Sequence, residues 1–104
     1  MAKSLGEELS AALSNITALI IKTESKSERT QLTRQQAKLA GQLQVFVDQV
    51  VDEALPEYEE ATEALKAANT EAEAAKRKLD KVASSIKKFA TAIDKLQSLA
   101  EMVG

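Results

Sequence analysis

At 104 residues, with no cysteine and no histidine, the chain can build one core but lacks the side chains of a disulfide framework, a thiolate metal site or a histidine base. Three glycines, one proline and abundant Ala, Leu, Glu, Lys and Gln favour helix almost everywhere, so all-α is the class that fits. The formal charge of −2 divides into +2 over residues 1–47, −6 over 48–70 and +2 over 71–104, an acidic middle between mildly basic ends.

The opening Met-Ala-Lys-Ser-Leu-Gly-Glu-Glu sets two acids ahead of any apolar run, unlike a secretory signal. The most hydrophobic stretch, Ala18 to Ile21, falls far short of the roughly 20 residues that a membrane-spanning helix needs. A soluble, cytoplasmic protein of one domain, 1–104, is the expectation.

Ser4 and Glu7 have capping-box spacing and predict a first helix over about 4–22. Leu5, Leu9, Ala12, Ile16 and Leu19 form its apolar stripe, broadened by Leu13 and Ile20. Lys22 to Thr30 is polar throughout. Ser25 and Glu28 repeat the capping-box spacing, which predicts a short connection near residues 23–27 and a second helix over about 27–54. Its stripe is Leu32, Leu39, Leu43, Phe46 and Val50, with Gln36 at the remaining position. Gly41 costs that helix roughly 1 kcal/mol relative to alanine, a cost offset if Ala37 and Gly41 let another backbone come close.

Pro56 disfavours helical geometry at Leu55 yet suits the first turn of a new helix, and Glu57, Glu59 and Glu60 favour the positive end of a helix dipole. A third helix is therefore predicted over about 56–102, roughly 70 Å long at 1.5 Å per residue. A seam of apolar residues spaced alternately three and four apart runs through Val47, Val51, Ala54, Tyr58, Ala61, Leu65, Ala68, Ala72, Ala75, Leu79, Val82, Ile86, Phe89, Ile93, Leu96, Ala100 and Val103. Between Ala61 and Ala75 the seam is mostly alanine, with Ala64, Ala67 and Ala74 around it. Flanking positions that a two-stranded coiled coil fills with charges hold Ala64, Ala83, Ala90, Ala92 and Leu99 instead, which points to a bundle. The expected fold is an antiparallel bundle of three helices with a long coiled-coil-like C-terminal helix, or of four if that helix breaks near Thr70 or Ser84.

A helix of that length would overhang its shorter neighbours, so self-association or docking on another helical protein is expected. The interaction residues would be Leu79, Val82, Ile86, Phe89, Ile93, Leu96 and Leu99. Function is accordingly read as a non-enzymatic protein–protein interaction or self-assembly module of the adaptor, chaperone or inhibitor type. The runner-up is an exported or membrane-active amphipathic helical protein that rearranges on a bilayer.

Other patterns have plainer readings. Asp48, Asp52, Glu53, Glu57, Glu59, Glu60 and Glu63 could gather a hard cation, but a solvated face with favourable helix-start charges accounts for them. Lys76, Arg77, Lys78, Lys81, Lys87, Lys88 and Lys95 suggest a phosphate-binding face. Asp80 and Asp94 interrupt it and no aromatic residue is interleaved on that face for base stacking, so pairing with the acidic middle of a neighbouring helix is preferred to nucleic acid. The first helix lacks the basic rows and aromatics of a membrane-surface helix, and core packing suits it better. No nucleophile-and-base set can be assembled, so neither catalytic residues nor a cofactor or metal are expected. Size and layout are similar to those of small helical proteins exported by specialised secretion systems, but their Trp-x-Gly turn is absent, as is any tryptophan, so no family is assigned.

Overall fold

The computed structural model describes residues 5–48 and 53–103, all of whose regular structure is helical. Ser4, Val50, Val51 and Asp52, named above for a cap, a stripe, the seam and the acidic tract, lie outside the described residues. Four helices follow one another: α1 (Leu5–Lys22), α2 (Lys26–Asp48), α3 (Pro56–Arg77) and α4 (Val82–Val103), with a single 3-10 turn at Leu79–Lys81 between the last two.

α1 buries Leu5, Glu8, Leu9, Ala12, Asn15, Ile16 and Leu19, a stripe three and four residues apart that contains the whole predicted apolar row. Leu13 and Ile20 pack beside it, half-buried. The link to α2 is short because each end is hydrogen-bonded in place. The Thr23 amide donates to the Leu19 carbonyl at 2.8 Å, and Ser25 caps α2, its hydroxyl oxygen accepting the Glu28 amide at 3.3 Å. The capping residue is thus the expected one, and the helix begins immediately after it.

α2 is described to Asp48, and residues 53–55 form a turn, so the predicted helix does not reach residue 54. Leu55, in extended conformation (φ −67°, ψ 133°), precedes Pro56 at the first position of α3. A proline there loses no helical hydrogen bond, which is why the break falls where the sequence places it.

The principal departure is at Lys78. A single helix over 56–102 is not formed: Lys78 turns extended (φ −134°, ψ 102°), its amide closing α3 on the Ala74 carbonyl, and the chain reverses through the 3-10 turn into α4. The break lies between Thr70 and Ser84, at neither. Glu71 sits opposite Ser84 and Lys81, and Glu60 opposite Lys95, so α3 and α4 form an antiparallel hairpin. A 47-residue helix would extend about 70 Å, whereas α3 alone, at about 33 Å, fits a molecule whose longest dimension is 39 Å.

The α1–α2 and α3–α4 hairpins lie side by side, α1 against α3 and α2 against α4. Paired contacts advance in step along both contacts between hairpins: Leu5 with Tyr58 and Asn15 with Asn69, then Gln35 with Ile86 and Gln42 with Ile93. Helices of different hairpins that touch therefore run parallel. The core between the layers combines Leu9, Ile16 and Leu19 of α1, Leu32 and Leu39 of α2, Leu65 with the alanines of α3, and Val82, Phe89, Leu96 and Leu99 of α4. Ala61, Ala68, Ala72 and Ala75 are all fully buried, so the alanine stretch is a close helix contact within the chain.

Candidate interaction surface

Of the seven residues expected to meet a partner, six face inward. Val82, Phe89, Leu96 and Leu99 are fully buried, Ile86 and Ile93 are 8% exposed, and only Leu79, in the turn, stands 45% exposed. The structure does bring the six together, on the inner side of α4, but their cover comes from α2 and α3 of the same chain. The overhang that made them an outward surface disappears with the reversal at Lys78. Val47, at the start of the predicted seam, is 70% exposed, and Ala54 is exposed in the turn before α3.

Two groups of polar contacts, neither of them expected from the sequence, tie the hairpins together. On α2, Gln35 Nε2 donates to the Ile86 carbonyl at 2.8 Å, and Gln42 Nε2, two turns on, donates to the Ile93 carbonyl at 3.1 Å. Both side chains are buried, and the Oε1 atom of each has no hydrogen-bond partner among the described residues. Across α1 and α3, Asn69 Nδ2 donates to the Glu8 carboxylate at 2.9 Å and to the Glu8 carbonyl at 3.1 Å, while its own Oδ1 accepts from Asn15 Nδ2 at 3.0 Å. Gln36, placed in the stripe by its spacing, is half-buried at the edge and bonds Thr17 instead. The signal for Gln35 and Gln42 was present: both stand three residues beyond a buried leucine and on its face.

The grooves between helices outside the core include two formed by described residues. One, of about 380 Å³ between α3 and α4, is lined by Ala64, Ala67, Ser84, Lys87, Lys88 and Thr91. It adjoins a second hollow of about 500 Å³ that shares Ala67 and Lys88 and extends to Ala74 and Lys81. Alanine floors both, so a backbone laid along them could approach closely. The other groove, about 460 Å³ between α2 and α4, is lined by Gly41, Gln42, Val45, Ile93 and Ala100, with Lys38 and Asp94 at its margins.

The preferred pairing of basic segment with acidic middle is realised only in small part within the chain. Lys95 meets Glu60 at 3.4 Å, while Lys81 meets Glu71 at 3.9 Å and Lys66 and Lys76 pair with Glu63 and Glu73 of their own helix. Exposed pairs of this kind contribute about 0–1 kcal/mol each. Lys87 and Lys88 make no ion pair among the described residues. The same residues contain no group of three acids placed to hold a metal ion, and no helix long and apolar enough to cross a membrane. Comparison of the chain with protein-family models, curated proteins and solved structures returns no match.

Proposed function

We propose that this chain is a non-enzymatic interaction module that works through its outer helix faces, by self-assembly or by docking on another helical protein. The alanine-floored groove between α3 and α4 is the observation that carries the reading. Its floor is apolar and its margins carry lysines with no partner among the described residues, a combination suited to an amphipathic helix with acidic flanks. Large apolar side chains left outside the core, Ile21 at 80% exposure and Met102 at 53%, add surface of the same kind. A sequence without cysteine or histidine supports assigning it binding in place of chemistry.

Sedimentation velocity on the purified protein tests the reading, first alone over a wide concentration range and then with designed amphipathic helices of acidic and of basic character. A mass that rises with concentration, or a complex with one of the helices, is the expected result. A strict monomer that binds neither would overturn it.

A further inference from the structure

We infer that the partner seated in the α3–α4 groove is a second copy of this chain, related by a two-fold axis and laid antiparallel on the same face. This rests on the reading of the chain as an interaction module. The reversal at Lys78 separates charge along the hairpin. Its turn half, residues 71–88, carries six basic and three acidic side chains, net +3. Its open half, residues 56–70 and 89–103, carries six acidic and two basic, net −4. The acidic start of α3 and the basic start of α4 therefore lie at opposite ends of one hairpin, where neither can neutralise the other. Among the described residues Glu60 forms an ion pair with Lys95 and Glu71 with Lys81, and Lys87 and Lys88 form none.

An antiparallel copy resolves this. With the two-fold axis at Ala64, Lys87 and Lys88, which lie level with Ala67, oppose Glu59 and Glu60 of the other copy twice in one isologous contact. Ala64 lies between these two charged zones, and Ala67 is exposed beside Lys87 and Lys88 on the groove floor. Small residues at the centre allow the two hairpins to close on each other, and the charges fix the direction. A parallel arrangement would set like charges together at both ends and is disfavoured on the same grounds.

The test uses two charge-reversed variants of the full chain, Lys87→Glu/Lys88→Glu and Glu59→Lys/Glu60→Lys, with circular dichroism confirming that each folds; all four residues are exposed. Analytical ultracentrifugation should show the wild-type dimer weakened at least about tenfold in each variant alone, and a heterodimer recovered when the two are mixed, since both contacts then join unlike charges. Ala67→Arg, which fills the groove from an exposed position, should abolish the dimer without unfolding the chain. Variants that dimerise like the wild type, or a mixture that stays monomeric, would overturn this arrangement while leaving self-association intact. A wild-type monomer that binds an acidic designed helix would transfer the groove to a different protein. A wild-type monomer that binds none would remove the interaction reading as well.

Discussion

Asn15 and Asn69 meet across the two hairpins, the side-chain amide of the first donating at 3.0 Å to the carbonyl oxygen of the second, and both are more than nine-tenths buried. Asn69 also holds the Glu8 carboxylate, so one side chain satisfies polar groups from two turns of α1. Its removal should be costly. Asn69→Ala leaves a buried carboxylate and a buried amide without these partners, at about 1–3 kcal/mol for each group, giving an expected loss of about 2–6 kcal/mol. Asn15→Ala orphans only the Asn69 oxygen and should cost less. Urea unfolding at fixed protein concentration measures both; a loss below about 0.5 kcal/mol for Asn69→Ala would show that water replaces the contact.

The glutamine contacts have the opposite sign. Each donates to a carbonyl whose oxygen belongs to the backbone of α4, but each also leaves its own Oε1 buried and unpartnered. Replacing a buried polar group that is only half satisfied with an apolar one of similar volume removes that desolvation penalty. Gln35→Met and Gln42→Met are therefore expected to be neutral or to stabilise by up to about 1 kcal/mol each. Thermal unfolding reads the effect, and a drop of several degrees in Tm for both would show that the two hydrogen bonds outweigh the orphaned oxygens.

The reversal at Lys78 is testable by distance. Spin labels at Glu60 and Lys95 replace two exposed residues that face each other across the hairpin. In a continuous helix these positions would stand about 52 Å apart. Pulsed electron resonance on Glu60→Cys/Lys95→Cys, in a chain that has no other cysteine, should instead give a short distance. A population near the long value would mean that the hairpin opens into one helix.

Phe89 is fully buried at the centre of α4, and truncation should expose how far the core depends on it. Phe89→Ala removes a large apolar side chain and leaves a cavity, at about 3–5 kcal/mol. Phe89→Asp adds an uncompensated charge and should unfold the chain. Chemical denaturation distinguishes these outcomes; tolerance of the aspartate would place Phe89 at a surface.

Much of this fold is legible in the apolar spacing, and the miss at Lys78 shows what spacing reports. Ala75, Leu79 and Val82 keep the three-and-four alternation through the break, because phase records which face of each helix is buried, whether or not successive helices are collinear. No glycine, proline or asparagine marks the turn. Lys78 closes α3 in an extended conformation that any residue adopts, so the usual left-handed cap signature is missing. Pro56 and Ser25, by contrast, act through local chemistry that the sequence states outright. The inward position of the stripe has a linked reason: Val82 through Leu99 share one face of α4, and what covers that face depends on the reversal. The outer groove is not legible in the sequence because alanine and lysine at surface spacing resemble an ordinary solvated face.

Gly41 provides a last measure of how free the outer face of α2 is. Close approach of another backbone was the expected reason for a glycine in this helix, yet a Cβ built there meets nothing within 4 Å. Within this chain the glycine therefore carries its helix-propensity cost with no packing return. Gly41→Ala is exposed, keeps helical φ and should stabilise the folded chain by about 0.5–1 kcal/mol, partly by restricting the unfolded state. Gly41→Leu should be tolerated in the isolated chain, since the space is open. Unfolding by urea gives the first value. If Gly41→Ala is neutral or destabilising while the circular dichroism is unchanged, a second molecule must approach α2 at this point, and the dependence of the loss on protein concentration would identify it as another copy.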